Sequence, residues 1–206
     1  MATHPDAIIR FYKSDMILQI HFDASYLTAP KSRSRAGGHF FLGSVPVNNV
    51  PIKLNGTIHS LCKILRFVAS PAAEAELGAL FLNAREEKIV RITLHELGHP
   101  QPPTPIHVDN TKLIGIVNNT IKRQRSRSME IRYFWLLNVE VQKYLAFHHY
   151  PGQENLGDYH TKSFTAKDAQ QARPFYVHEN ISPQNLVRAY FLVLGEGVLK
   201  LHGTHT

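Results

Sequence analysis

The sequence predicts an α/β domain in which a mixed sheet, three antiparallel strands then parallel strands, carries helices packed on it and ends in an irregular C-terminal tail. Three observations support this. Alternation of apolar and polar residues, the pattern of a strand with two unlike faces, marks the first third of the chain. Beyond residue 70 the period lengthens to that of an amphipathic helix. From there short apolar strands alternate with helical stretches, the arrangement by which a sheet acquires a helical layer.

Each element has its own reason. Residues 1–15 read as an N-terminal connection, and the apolar pattern begins at Met16. Leu18, Ile20 and Phe22 share one face and Gln19, His21 and Asp23 the other, so a first strand is expected to end at Asp23. Pro30 and the basic Ser/Arg stretch after it read as a loop. Gly38–Leu42 and Thr57–Cys62 follow as the second and third strands, separated by a turn-rich run of Pro46, Asn48, Asn49, Pro51, Asn55 and Gly56. Ser70 as N-cap and Pro71 in the first helical position open a helix carrying Ala73, Leu77, Leu80 and Phe81. A second helical segment with Ile89, Thr93, Leu94 and Leu97 on one side is expected to stop at Gly98. After the loop Pro100–Pro103, Thr104–Asp109 is a short strand ending in an acid, and Asn110–Asn118 is helical. A longer helix over Ser128–Lys143 carries Ile131, Phe134, Trp135, Leu137 and Val141. Tyr144–Tyr150 is the last strand, stopped by Pro151-Gly152, and a short helix then carries Asp158. The sheet domain therefore occupies residues 16–163, and 164–206 is an extension without a core of its own.

Composition narrows the function. The 206 residues hold 23 Lys and Arg against 16 Asp and Glu, a net charge of +7, which suits a polyanionic partner through counterion release. The basic residues crowd into Lys122, Arg123, Arg125, Arg127 and Arg132, with a smaller group at Lys31, Arg33 and Arg35. A hydrophobic content of 43% excludes a wholly disordered chain, and the single cysteine, Cys62, excludes an intrachain disulfide framework and a CxxC zinc site. Cys62 itself reads as a core-strand residue. No run reaches the roughly 18–20 apolar residues of a membrane span, and the N-terminus has no cationic stretch leading into an apolar one. An intracellular, cytoplasmic and reducing setting without secretion is the expectation.

Four acids stand out by position. Asp23 and Asp109 end strands, Glu76 borders the apolar stripe of its helix, and Asp158 sits early in the last short helix. Acids at such places lose hydration, which is unfavourable unless a cation or a donor compensates. Four converging carboxylates suit Mg²⁺, with Mn²⁺ as a substitute, and two such ions suit in-line phosphodiester hydrolysis. Taken singly, each acid reads better as a turn-closing or solvating residue; their joint placement along the chain favours the cation.

Six short stretches in order carry a resemblance. They are Phe22-Asp23-Ala24-Ser25-Tyr26, Arg33-Ser34-Arg35-Ala36-Gly37-Gly38-His39-Phe40-Phe41-Leu42, Ala73-Glu74-Ala75-Glu76-Leu77, Pro105-Ile106-His107-Val108-Asp109-Asn110, Met129-Glu130-Ile131-Arg132-Tyr133 and Asn155-Leu156-Gly157-Asp158-Tyr159-His160-Thr161-Lys162. Together they resemble the ribonuclease H domain that ends copia-type LTR retrotransposon polyproteins, over about residues 16–163. The tail, with Arg173-Pro174-Phe175-Tyr176-Val177-His178 and Ser182-Pro183, resembles the segment closing many such polyproteins. The resemblance implies a ribonuclease H-like fold and cleavage of the RNA strand of an RNA–DNA hybrid during reverse transcription, beside a polymerase domain of the same polyprotein. It implies Asp23, Glu76, Asp109 and Asp158 as catalytic and metal-binding acids, with Glu74 a decoy. Asn110, Arg125, Arg127 and Arg132 are weaker candidates for contact with the hybrid. Many cellular ribonucleases H carry a histidine in the loop before the last acid; here that loop is Pro151-Gly152-Gln153-Glu154.

Two other readings compete. One is a catalytically silent nucleic-acid-binding remnant that keeps the fold and the basic surface. The other is a zinc peptidase, because His95-Glu96-Leu97-Gly98-His99 fits the H-E-x-x-H pattern in which two histidines one helical turn apart hold the metal. Against it, Gly98 invites the helix to stop and Pro100 disfavours the α conformation at His99.

Overall fold

The computed structural model of the protein describes residues 7–45, 47, 52–69, 71–117 and 127–179. In chain order these form β1 (Ala7–Ile8), β2 (Ile17–Ala29), β3 (Arg33–Gly43), β4 (Thr57–Ile64), α1 (Ala72–Glu96), β5 (Thr104–Val108), α2 (Thr111–Val117), α3 (Arg127–Val141) and β6 (Leu145–His149). Short 3₁₀ turns at Gly152–Glu154 and Leu156–His160 come next, then α4 (Ala166–Ala172), a third 3₁₀ turn at Arg173–Phe175, and β7 (His178–Glu179).

The main sheet has five strands in the order β4-β3-β2-β5-β6. The first three are antiparallel neighbours, and β5 and β6 add in parallel beside β2, giving the mixed sheet that the sequence predicts. Leu18, Ile20 and Phe22 turn to the helical side, where they join Leu77, Leu80, Ile106 and Leu136 in one apolar core. The opposite face is buried as well, although it carries polar groups: Gln19, His21, His39 and His107 are all 1% exposed or less. Gln19, His21 and His107 find partners from distant parts of the chain. Gln19 Nε2 donates to the Ser44 carbonyl at 2.6 Å, its Oε1 lies 3.0 Å from His107 Nε2, and His21 Nδ1 accepts from the Leu156 amide at 3.2 Å. Burial holds the histidines uncharged: His21 lies well below its usual range, and His39 and His107 are pushed down to about 3, with His160 and His148 respectively adding to burial.

Several boundaries differ from the sequence expectation, each for a physical reason. The first strand runs past Asp23 to Ala29, and Arg33 and Arg35 lie in β3, not in a loop. Only a tight hairpin separates the two strands, with Lys31 and Ser32 both in the left-handed region at φ 61° and 50°. The two expected helices are one, α1. The polar stretch between them stays helical because it contains no breaker and its buried members bond across to the sheet side. Asn83 Nδ2 donates to the Gly37 and Ala79 carbonyls, and Glu87 accepts from Thr104 Oγ1 at 2.6 Å. Pro71 is the N-cap of α1, and Ser70 lies outside the described residues. The helix stops where expected, Gly98 taking φ +86°. In α3 the buried side is Tyr133, Leu136 and Val139, whereas Ile131, Phe134 and Val141 are exposed. Apolar residues surround that helix, so spacing alone did not choose its inner face. Cys62 is exposed rather than core, with its thiol 3.2 Å from the His160 carbonyl. The last short helix is a 3₁₀ turn.

Two short strands far apart in the described chain meet. β1 pairs antiparallel with β7, Ala7 opposite Glu179 and Ile8 opposite His178. Asn55 fixes the N-terminal segment, its side chain bonding both the amide and the carbonyl of Tyr12 and also the Leu42 carbonyl. Among the described residues no helix is long and apolar enough to cross a membrane.

The helical core and the outer face of α3 lead to a paired prediction. Leu80→Ala, at a site 0% exposed, is expected to cost about 2–5 kcal/mol in urea unfolding through lost burial and a cavity. Ile131→Ala, at a site 79% exposed, is expected to stay within about 0.5 kcal/mol.

Candidate metal centre

Three carboxylates from separate parts of the chain meet: Asp23 on β2, Asp109 just after β5, and Asp158 in the 3₁₀ turn Leu156–His160 each place an oxygen within 4.8 Å of the others. Parallel pairing of β2 with β5 sets the first two side by side. Asp158 arrives differently. Its turn lies flat on the sheet because Gly157 rests on the backbone of Phe22 and Asp23, where an added Cβ would come within 2.6 Å and 2.7 Å of their C and N atoms. On β3, Gly37 leaves matching room, since a Cβ there would stand 2.7 Å from the Gly157 carbonyl oxygen. Asn155 ties the turn down by donating from Nδ2 to the Phe22 carbonyl at 2.8 Å. Thr161 completes the junction, its hydroxyl donating to Asp23 Oδ2.

Glu76 stands beside this triad on the first turns of α1. Its carboxyl is pushed up to about 8, first by burial and then by the charges of Asp23 and Asp109. Asp23 is pushed up to about 6 by burial, with Thr161 and Lys162 pulling the other way and Asp158 and Asp109 adding to the rise. Asp158 is raised by burial and by Asp109, against the opposing pull of Lys162, whose ammonium donates to Asp158 Oδ2 at 2.6 Å. Glu76 Oε2 and Asp158 Oδ1 are buried with no hydrogen-bond partner. Four acids with two buried oxygens unsatisfied, set against the single ammonium of Lys162, leave the cluster short of positive charge. It fits a hard divalent cation, which takes oxygen ligands.

Of the four acids singled out by position, Asp23, Asp109 and Asp158 come together, and Glu76 is near enough to feel their charges without being one of the cluster. Glu74, two residues away and so on another side of the helix, is buried too, at 5% exposure, but contributes to none of the shifts of the other acids. Asn110 caps α2, its Oδ1 accepting from the Leu113 amide at 3.3 Å. Arg132 lies over the Phe67 ring at 4.0 Å, in a groove shared with Lys63, Arg66 and Arg85. Arg127 begins α3, and Arg125 lies outside the described residues. His95, Glu96 and His99 are exposed, and His99 lies beyond the helix end at Gly98, so the H-E-x-x-H pair does not share one helical face. Thr161 and Lys162 were given no role by sequence reasoning. The i,i+4 spacing of Asp158 and Lys162 was the available signal for the second.

No protein-family model and no curated protein matches the chain. Solved structures do. LC11-RNase H1, isolated from compost by a metagenomic approach, is similar at a TM-score of 0.50 and 13% identity, covering 71% of this chain and 93% of its own. The structure of LC11-RNase H1 in complex with RNA/DNA hybrid is similar at a TM-score of 0.50 and 14% identity, covering 70% of this chain and 93% of its own. With the strand order above, this establishes a ribonuclease H-like fold: a mixed sheet flanked by helices.

The raised carboxyls determine a pH response. Between pH 4.5 and 8 the folded metal-free protein holds a proton on Glu76 that the unfolded chain has released, so stability falls as pH rises through that window. The buried histidines act oppositely, but only below about pH 6.5, where the unfolded chain gains their protons. From pH 6.5 to 8 the metal-free melting temperature is therefore expected to fall, and to fall less in Glu76→Gln. A flat profile in both proteins would contradict the assigned environment of Glu76.

Proposed function

We propose that the protein is a divalent-metal-dependent nuclease that hydrolyses the RNA strand of RNA–DNA hybrids during reverse transcription of a copia-type retroelement, alongside a reverse transcriptase polymerase domain. The convergence of Asp23, Asp109 and Asp158 on a ribonuclease H-like sheet is the observation that carries this reading. The hybrid bound by LC11-RNase H1 and the net charge of +7 support a nucleic-acid partner. An intracellular, cytoplasmic setting belongs to the same proposal.

Asp23, Asp109 and Asp158, with Glu76 adjoining, would hold two Mg²⁺ ions, or Mn²⁺ in their place. When bound, such ions supply an activated water and stabilise charge on the leaving oxygen. The chain's own part is positioning and proton release. Thr161 fixes the rotamer of Asp23 through its hydroxyl. Glu76, raised to about 8 in the metal-free protein, would have to release its proton for a cation to be held there. Lys162 balances Asp158 on the open flank. Selection of RNA would rest on the 2′-hydroxyl and the shape of the hybrid. Asn110, Arg125, Arg127 and Arg132 are proposed to lie along the backbone path.

The test uses labelled RNA–DNA hybrid with Mg²⁺. The unmodified protein is expected to cut the RNA strand, Asp109→Asn to lower the rate by about a hundredfold or more, and Glu96→Gln to leave it unchanged. Binding without cutting by the unmodified protein would make it a silent remnant. Chelator-sensitive peptide hydrolysis lost in Glu96→Gln would revive the peptidase.

A further inference from the structure

We infer that Tyr176, in the segment after the sheet domain, is a positioning residue of the metal centre, holding the turn that carries Asp158 from its outer side. The inference rests on the proposed metal centre and adds to it a part of the chain that none of the motif acids occupies.

The turn Leu156–His160 is held from below by the sheet, through His21, Phe22 and Asp23. From above, the Tyr176 hydroxyl donates to the Leu156 carbonyl at 2.7 Å, two residues before Asp158. The ring packs against three side chains of that assembly, with centroids 4.7 Å from Tyr159, 5.4 Å from His39 and 6.2 Å from His160. Phe164 of the same segment also packs on the turn, its ring centroid 5.5 Å from that of Tyr159. A cavity of about 560 Å³ separates α4 from the turn, lined by Tyr150, Glu154, Phe164 and Phe175 as well as by Asp158 and Tyr176. Beside that cavity, Tyr176 ties the segment to the turn by a hydrogen bond.

Its own position is fixed twice over. The Tyr176 amide donates to the Arg173 carbonyl at 2.9 Å, closing the 3₁₀ turn before it. Two residues later the chain enters β7 and pairs with β1 at the other end of the sequence. Burial and the nearby Asp158 carboxylate push the phenol far above its ordinary range, so the hydroxyl remains a donor at any physiological pH. A 3₁₀ turn has poorer hydrogen-bond geometry than an α-helix and needs outside support to stay in one place. Groups that orient ligands in this way change metal affinity without touching the ion.

The experiment uses the full chain and reads Mg²⁺ affinity by calorimetry, with amide hydrogen exchange as a second measurement. Tyr176→Phe keeps the ring and removes only the hydroxyl. It is expected to weaken Mg²⁺ binding about threefold to tenfold, to speed exchange at residues 157–161, and to leave exchange in α1 unchanged. Tyr176→Leu, which also loses the ring contacts, is expected to weaken binding further. Asp109→Asn is the reference: it is expected to abolish the binding signal. If it does so while Tyr176→Phe and Tyr176→Leu bind and exchange like the unmodified protein, the role of Tyr176 is overturned and the metal centre stands. If Asp109→Asn binds Mg²⁺ normally, the metal centre itself fails, and Tyr176 with it.

Discussion

The acidic pocket depends on a backbone-to-backbone approach: the turn holding Asp158 has to lie close enough to β2 for its carboxylate to reach that of Asp23. Side chains at two positions would prevent it. Gly157 sits on the Phe22–Asp23 peptide, and Gly37, paired with Asp23 across the β2–β3 ladder, leaves room for the Gly157 carbonyl and for Thr161. Neither glycine is chosen for an unusual φ; each is required by van der Waals distance alone. Once the turn is seated, Asn155, Thr161 and the Leu156 amide bond to Phe22, Asp23 and His21 in a single patch. The same contacts therefore bury the polar second face of the sheet and assemble the carboxylates.

That arrangement stores electrostatic tension. Burial raises Asp23, Glu76 and Asp158, and mutual repulsion raises them further. The neighbouring histidines are held neutral by the same burial, so they supply no compensating charge. Among the charged groups that act on the cluster, Lys162 is the cation. A protein selected only for stability would replace such acids with apolar side chains. Their presence together, with two buried oxygens unsatisfied, is the kind of local cost that marks a functional site.

The β1–β7 pair adds a constraint of a different kind. β1 and β7 pair outside the main sheet, and Asn55 and Tyr176 fasten the two end segments to the body of the fold. Segments far apart in the chain are thereby drawn over the face where the last acid sits. The exposed His95-Glu96-Leu97-Gly98-His99 run, by contrast, ends α1 in open solvent. The positive φ of Gly98 carries His99 off the helical face, as the glycine-proline pair implies.

Periodicity was enough to reveal the five strands of the main sheet in order, the stop at Gly98 and the acids at the ends of apolar runs, because those features depend on neighbours within one or two turns of the chain; β1, α4 and β7 lie where it gave only a connection and an irregular tail. It misjudged the polar middle of α1, where Asn83 and Glu87 find partners on Gly37 and Thr104 far away in sequence. It misjudged α3 as well, since a helix apolar on most sides takes its inner face from what it packs against. That Asp23, Asp109 and Asp158 could converge was legible from motif and position. Their protonation, the crowding of three and the offset of Glu76 were not, for burial and charge repulsion exist only between segments brought together by folding. Thr161, Lys162 and Tyr176 belong to that second category: each acts through a partner that no local pattern connects to it, except the single turn linking Lys162 to Asp158.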